Sequence, residues 1–315
     1  MWSIIQQVAP YAVAYSIPLL ITALGGLYSE RSGVVNIGLE GLMVIGLFTS
    51  AFVIAQLEAV MPGVAIWIGL LAAVIAGALF SLLHAFASIN LNANQVISGT
   101  AINMMAGAIT VYLARHITGS GNIHIVHGLI RRDIPGLSKI PVLGRLFFTQ
   151  TYATTWLVLG ILLVSWFVLY KTSFGLRLRA CGEHPQAADA AGINVYRLRY
   201  IAVLISGACA GLGGAVILVT YSGEFNGTVS GLGFLALAAL IFGQWKPLGI
   251  LGATFFFGLA STIANVSQAI PALAKIPGLL LKNFPYIVTL LVLVIFSKSS
   301  QAPRAAGEPY DKGKR

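Results

Sequence analysis

Charged residues are scarce in this chain. Asp, Glu, Lys and Arg make up 9% of its 315 residues, whereas hydrophobic residues make up 57%. A soluble globular domain has about a quarter of its residues charged, so this chain could not cover a water-facing surface. The scarcity predicts a polytopic membrane protein whose apolar surface faces lipid. The net charge is +10, but the basic residues fall in loops and in the tail, so we expect no nucleic-acid partner.

Motifs for catalysis and for metal or nucleotide binding are also missing. The sequence has no G-x-x-x-x-G-K-[ST] phosphate loop, no H-E-x-x-H and no G-x-S-x-G. Its two cysteines, Cys181 and Cys209, offer neither a disulfide framework nor zinc spacing. His124 and His127 are three residues apart with no third ligand nearby. We therefore expect no catalytic residue, no metal site and no cofactor on this chain.

Long apolar runs account for most of the sequence. A helix needs about 20 apolar residues to cross roughly 30 Å of hydrocarbon. Strands are excluded because an open sheet edge would leave backbone groups unpaired in lipid, and the alternation of a barrel is absent. The sequence predicts an all-α transmembrane bundle of about eight to ten segments within residues 1–297. The predicted spans are 10–28, 42–57, 64–89, 96–114, 153–170, 200–221, 248–268 and 282–297, with a marginal one at 232–243.

Three hydrophilic intervals set the expected orientation: 115–152, 171–199 and the tail 298–315. The tail is rich in basic residues, so the positive-inside bias places it in the cytoplasm. Counting back through the spans also puts the basic interval 171–199 and the turn "GQWKP" inside. The same count puts 115–152 outside although that loop is also basic. It also puts the N-terminus outside, unless a further or re-entrant segment lies around 29–41. The polar tail is predicted to be disordered.

The stretch "EHPQAADAAG" at 183–192 has the pattern of a complete short helix. Pro185 suits the first helical position, and Glu183 is favourable at the positive end of the helix dipole. Four alanines favour helix, and Gly192 is a natural stop. The small, smooth alanine face suits insertion into a groove on another protein. An incidental surface helix with interfacial anchors is the alternative.

Four blocks of the sequence resemble one family. "GEHPQAADAAGINVYRLRY" at 182–200 resembles the cytoplasmic loop of bacterial ABC-transporter permeases of the branched-chain amino-acid, ribose and nucleoside type, with His184 where the family often has Asn. "ERSGVVNIGLEGLMVIG", from position 30, is like the signature near that family's second transmembrane segment. "NQVISGTAINMMA", from 94, and "GLGFLALAALIFGQWKPLG", from 231, are similar to segments of its nucleoside and simple-sugar branch. The last block favours nucleosides.

The resemblance implies a fold, a function and partners. The fold would be that of a type II ABC importer permease, and the chain would form a translocation path in the bacterial cytoplasmic (inner) membrane. ATP hydrolysis would belong to a separate ABC ATPase subunit. A second, longer permease would complete a heterodimer, and an extracytoplasmic substrate-binding protein, lipoprotein-like, would deliver the nucleoside. The residues that carry over to the ATPase-docking coupling helix are Glu183, Pro185, Ala187, Ala188 and Gly192.

Uncharged polar residues cluster at 90–103 and suggest a path for the substrate. Their amides both donate and accept hydrogen bonds, which suits a neutral nucleoside, and helical spacing could bring them to one side. Interhelical bonding and helix capping are the alternatives. The candidate path residues are Asn36, Glu40, Asn94, Gln95, Thr100 and Asn103.

The polar stretch "SERSGVVNIGLEG" at 29–41 lies between two apolar runs. Its glycines and β-branched residues predict a break between helices near the membrane boundary. We expect Glu30 and Arg31 to form a local charge pair, and Asn36 and Glu40 could share one helical face. Glu40 either contacts the cargo or braces the bundle, and bracing is favoured.

Three other readings remain. An ion-coupled secondary transporter could use a buried carboxylate such as Glu30 or Glu40, but it would have no need of a docking helix. An ABC permease for simple sugars differs from the favoured reading only in its substrate. A membrane-embedded enzyme would need a nucleophile and a base, which the sequence does not bring together.

Overall fold

The structure is a computed structural model that describes residues 2–142, 144–266, 281, 283–284, 286–288 and 301–313. Its main element is the α-helix, and a short antiparallel pair of strands joins two loops. The helices are α1 (Trp2–Arg31), α2 (Leu39–Leu57), α3 (Pro62–Ala85), α4 (Gln95–Thr118), α5 (Ala153–Lys171), α6 (Ser173–Glu183), α7 (Pro185–Ala190), α8 (Val195–Ile217), α9 (Leu232–Phe242) and α10 (Pro247–Val266), and the strands are β1 (Ile123–His124) and β2 (Glu224–Phe225). Short turns of other helix types cover Phe86–Asn90, Leu137–Lys139, Gly144–Phe148 and Leu218–Ser222.

Seven of the described helices are long and apolar enough to cross a membrane: α1, α2, α3, α4, α5, α8 and α10. This confirms the predicted class, and the chain is a multi-pass membrane protein. The marginal run at 232–243 is the short helix α9. The predicted span 282–297 lies largely outside the described residues.

Local sequence signals explain where several helices begin and end. Pro62 and Pro247 open α3 and α10, where the missing N–H of proline is not needed. The Asn94 side chain accepts the first backbone N–H groups of α4, and Gly119 ends that helix with a φ of 75°. An asparagine cap and a left-handed glycine are favoured at these two positions.

Helices α1 and α8 form the centre of the bundle. In each of these two helices, 72% of the residues in the most apolar 18-residue stretch are buried inside the protein, compared with 28–33% in α3, α4 and α5. Small residues let the backbones approach closely: a Cβ atom at Gly46 of α2 or at Gly77 of α3 would collide with the backbone of α8 at Gly211 or Gly207. The glycine-rich stretch of α8 therefore packs neighbouring helices, as small residues do in membrane proteins.

The bundle has two recognisable ends. The α7 end carries the C-terminus of α1, because Arg31 Nη1 lies 3.9 Å from Glu183 Oε1. The opposite end carries the strand pair and the loop 119–152, where Glu58 Oε2 accepts the backbone N–H of Val126 at 2.9 Å. Because α1 spans from one end to the other, its first residues belong to the opposite end.

Residues 301–313 differ from the predicted disorder of the tail. They lie against the α7 end, where Ala305 N donates to Gly182 O at 2.9 Å and Gly307 N donates to Gly33 O at 3.1 Å. Tyr310 is buried with 4% exposure. A polar composition indicates disorder only where the backbone finds no partners, and here the body of the protein supplies them.

Candidate functional site

The segment 32–38 between α1 and α2 is not helical, yet most of it is buried. Asn36 has no exposed surface, and its Nδ2 donates to Ser206 Oγ of α8 at 2.9 Å. Ser206 is eleven residues after Val195, the first residue of α8, which is about 16 Å along the helix. This segment, here called the break, therefore lies inside the bundle. Irregular backbone is tolerated there only if protein groups satisfy its hydrogen-bonding N–H and C=O groups. The break also means that Asn36 and Glu40 do not share a helical face.

Side chains of α3 and α4 satisfy the backbone of this break. Gln95 Oε1 accepts from Val35 N at 2.6 Å, and Asn103 Nδ2 donates to Ile37 O at 3.0 Å. The Val35 carbonyl faces His84 Nε2 at 3.1 Å, so this imidazole nitrogen carries the proton. Two of the candidate path residues are thus hydrogen-bonded to the break. His84 was not singled out from the sequence, although a histidine at the end of an apolar run is a signal for such a role.

Glu40 connects the break to α9. Its Oε1 accepts from Gly231 N at 2.8 Å and its Oε2 from Gly233 N at 2.7 Å. These N–H groups belong to the first turn of α9, which has no intrahelical partner for them and carries a partial positive charge. A Cβ atom at Gly233 would collide with the Glu40 backbone. The first turn of α2 is held in a similar way, because Gly41 N donates to Asn103 Oδ1 at 2.7 Å. This arrangement favours the bracing role of Glu40.

Glu30 and Arg31 were expected to form a local pair, but their hydrogen bonds go to Trp245 and not to each other. The buried Glu30 carboxylate accepts from Trp245 Nε1. Arg31 Nη2 donates to the Trp245 carbonyl oxygen at 2.8 Å, and its Nη1 faces Glu183. Both side chains therefore hold the turn between α9 and α10. Sequence proximity suggested the pair, but the two side chains leave the helix in different directions.

Asn94 and Thr100 lie apart from the other candidate path residues. Asn94 is exposed and caps α4, accepting from Val96 N at 2.9 Å. Thr100 is exposed, and its hydroxyl donates to the Val96 carbonyl within the same helix at 2.8 Å. Gln95 is only 2% exposed. The prediction of one shared side is wrong, because adjacent helical residues point about 100° apart.

A cavity of about 440 Å³ lies toward the opposite end, between α1, α8, α9 and α10. The Tyr15 and Tyr221 rings line it with their centroids 4.5 Å apart. Tyr221 Oη is buried and has no hydrogen-bond partner within the part of the chain that the structure describes. Asn226, Asn265, Ser222, Ser230 and Ser261 add amide and hydroxyl groups to the lining. The sequence did not point to either tyrosine, since aromatic residues in apolar spans are common.

A short helix does lie within 183–192, but α7 covers only Pro185–Ala190, and Glu183, which was expected at its start, is the last residue of α6. Helix α7 follows α6 after His184, begins at Pro185 and is followed by Gly192 with a φ of 80°. Of its six residues, Pro185 and Ala188 are buried, whereas Ala187 is exposed. The helix therefore has one face toward the bundle and one toward its surroundings.

The five candidate coupling residues, which lie on α7 and just before and after it, differ in their exposure. Ala188 packs in a cluster with Cys181, Val195 and Tyr310, and Pro185 is also turned inward. Glu183 is half-buried beside Arg31. Ala187 and Gly192 are exposed, as are Gln186, Ala190 and Ala191. The exposed set, together with the partly exposed Glu183 side chain, can contact another protein without rearrangement of α7.

The thiol of Cys181 is expected to be unreactive in the intact protein. Its side chain has no exposed surface, and burial raises its pKa to about 11 despite the nearby Arg199 charge. At neutral pH it is therefore protonated, and the thiolate is the reactive form. In a Cys209→Ala background, N-ethylmaleimide should label Cys181 far more slowly than a cysteine at the exposed position Ala187. Equal labelling rates would contradict the buried position of Cys181.

Comparison with known proteins agrees with this architecture. A family model described as branched-chain amino acid transport system / permease component matches residues 9–297. The chain is 49% identical to the guanosine ABC transporter permease protein NupQ of Bacillus subtilis over 99% of this chain and 98% of that protein. It is 43% identical to the nucleoside ABC transporter permease protein NupC of Lactococcus lactis over 98% of each. The guanosine ABC transporter permease protein NupP of B. subtilis is 26% identical over 95% of this chain and 81% of its own length.

Proposed function

The chain belongs to the branched-chain amino acid transport system permease family, and on that premise we propose that it conducts nucleosides across the membrane as one subunit of an ATP-driven importer. It is a transport subunit, and ATP hydrolysis belongs to a separate ATPase. The assignment of nucleosides as the substrate rests on the near full-length similarity to permeases whose names specify guanosine and nucleosides. Simple sugars are the alternative substrate.

The cavity beside Tyr15 and Tyr221 supports a nucleoside as the cargo. A nucleoside offers a flat base and a ribose with hydroxyl groups. Aromatic rings can stack on the base, while amides such as Asn226 and Asn265 can donate to and accept from both parts. The Tyr221 hydroxyl, which has no hydrogen-bond partner among the described residues, adds a further donor beside the cavity. We propose that this cavity contacts the nucleoside during its passage.

We further propose that the α7 end faces the cytoplasm of a bacterial cell and that the membrane is the inner membrane. Arg177, Arg179 and Arg197 flank α7 in the sequence, in agreement with the positive-inside bias. This orientation places the C-terminal residues in the cytoplasm. It places the loop 119–152 outside, where the basic side chain of Arg131 is held by the ring of Tyr11 at 4.2 Å.

Three protein partners follow from this proposal. The ATPase would bind the exposed face of α7. A second permease would cover the exposed face of α4, since Asn94 and Thr100 can line a path only if another subunit closes it. The two B. subtilis relatives both named for guanosine, one of them longer than this chain, support a heterodimer. A substrate-binding protein, lipoprotein-like, would meet the opposite end.

Uptake of labelled guanosine tests the proposal. The permease would be expressed with its candidate ATPase, second permease and binding protein, and uptake should stop when ATP is depleted but continue after an ionophore collapses the ion gradients. An excess of unlabelled nucleoside should compete, whereas free ribose should not. Uptake that survives ATP depletion and is lost with the ionophore would establish a secondary transporter instead. Competition by free sugars and not by nucleosides would assign the sugar substrate.

A further inference from the structure

We propose that residues 301–313, here called the C-terminal strap, position α7 for its ATPase partner. The inference rests on the proposed docking role of α7. The strap crosses the α7 end and contacts, in chain order, the turn between α9 and α10, the end of α6, the break between α1 and α2, α8 and finally α7 itself. The backbone hydrogen bonds of its first half are Gln301 N to Gln244 Oε1 at 3.1 Å, Ala305 N to Gly182 O at 2.9 Å and Gly307 N to Gly33 O at 3.1 Å.

Arg199 fastens the middle of the strap to the break. This side chain is only 1% exposed, and its Nε donates to Ser32 O while its Nη1 donates to Glu308 O, both at 3.2 Å. A buried guanidinium is costly unless hydrogen bonds compensate its charge. Since one of these bonds comes from the strap, removal of the strap would leave the buried charge less well compensated.

Tyr310 forms part of the surface on which α7 rests. Its ring lies 5.4 Å from the Tyr196 ring, and its carbonyl oxygen accepts from Tyr196 Oη at 3.3 Å. The same ring packs with Ala188, the inward-facing alanine of α7. A helix of six residues has little stability of its own, so packing against its neighbours determines whether and where it forms. The strap supplies one of those neighbours.

The end of the strap contacts α7 through charge. Lys312 Nζ lies 4.0 Å from Asp189 Oδ1, and the Lys312 side chain is largely exposed. A long contact of this kind, with one partner exposed to solvent, contributes little stability. It does show that the strap reaches the coupling helix, and it provides two positions for a cross-link.

The strap therefore links α7 to the same break that Asn36 and Gln95 hold inside the bundle. Gly33 and Gly307 meet there, and both have a positive backbone φ (94° and 82°), which residues other than glycine rarely adopt. A movement of the break would be transmitted to α7 through the strap as well as through α6. We infer that an intact strap is required for efficient coupling of ATP hydrolysis to transport.

A cross-link tests the position of the strap. In a Cys209→Ala background, the double variant Asp189→Cys, Lys312→Cys should form an intramolecular cross-link with a short thiol reagent in native membranes, whereas each single variant should not. The cross-linked transporter should still take up guanosine. Absence of a cross-link in a transporter that is active would overturn the inference.

Replacement of Tyr310 tests the function of the strap. In the complete transporter, Tyr310→Ala should lower the number of guanosine molecules transported per ATP hydrolysed about tenfold. In the same variant, Cys181 should become accessible to N-ethylmaleimide. Tyr310→Phe keeps the ring that packs beside Tyr196 and Ala188, so its coupling should stay well above that of Tyr310→Ala, with a comparable yield of intact complex. Truncation after Gln301 should reproduce the effect of Tyr310→Ala.

Three outcomes distinguish the strap from the proposed function. If the wild type takes up no guanosine under ATP-replete conditions, the proposed function fails whatever the variants do. If the wild type transports and the truncated chain has an exposed Cys181 but unchanged coupling, the strap inference fails and the proposed function stands. If Tyr310→Ala gives no folded protein, the truncation and the cross-link decide the question.

Discussion

Replacing Glu40 with glutamine should reduce the yield of intact transporter before it alters the choice of substrate. Both carboxylate oxygens accept backbone N–H groups at the start of α9. A glutamine has one acceptor oxygen, so one of these N–H groups would lose its partner and face an NH₂ group inside the bundle. An unsatisfied buried donor together with a lost charge at a helix N-terminus costs about 2–4 kcal/mol. We expect a lower melting temperature in detergent, a reduced amount of complex in size-exclusion chromatography and a corresponding loss of guanosine uptake.

Glu58 provides the matched control for this experiment. Its Oε2 also accepts two backbone N–H groups, those of Val126 at 2.9 Å and His127 at 3.2 Å. It lies at the end of α2, next to an exposed loop, where water can replace a lost acceptor. Glu58→Gln should therefore leave the yield nearly unchanged. A Glu40→Gln complex of normal stability with a changed preference among nucleosides would show that Glu40 contacts the cargo.

Replacing Ala187 with tryptophan should detach the ATPase and leave the permease folded. Ala187 is exposed on the outward face of α7, and exposed substitutions usually change stability by less than about 0.5 kcal/mol. A large side chain inserted into a packed protein contact costs about 1–3 kcal/mol, which is about tenfold or more in affinity. Co-purification of the ATPase and guanosine uptake should both fall to that extent, while the melting temperature of the isolated permease should not change.

Two further variants define the specificity of this effect. Ala153→Trp places the same side chain on an exposed alanine at the opposite end and should not affect the ATPase. Ala188→Trp, at the inward-facing position, should destabilise the permease itself, because Ala188 packs against Cys181 and Tyr310. If Ala187→Trp retains full ATPase binding and uptake, the exposed face of α7 is not the docking surface.

Much of the fold could be predicted because it depends on local properties. Composition determined the membrane class, run length determined the spans, and the residues around Pro185 determined α7, where a proline, alanines and a glycine act within a few positions. The same local reasoning gave the wrong result for 301–313. There the partners of the backbone are Gly182 and Gly33, far away in the chain.

The polar candidates illustrate the difference between what local sequence reveals and what helix packing adds. The sequence identified Glu40, Gln95 and Asn103 as unusual residues in an apolar chain, because buried polar groups are costly and are retained for a purpose. It could not tell which groups they bind. Glu40 meets Gly231 across 191 residues of sequence, and Gln95 meets Val35 across 60. Such hydrogen bonds exist only after the helices have packed, so helix packing, and not spacing along the chain, decided which residues brace the break and which face of α7 is open to a partner.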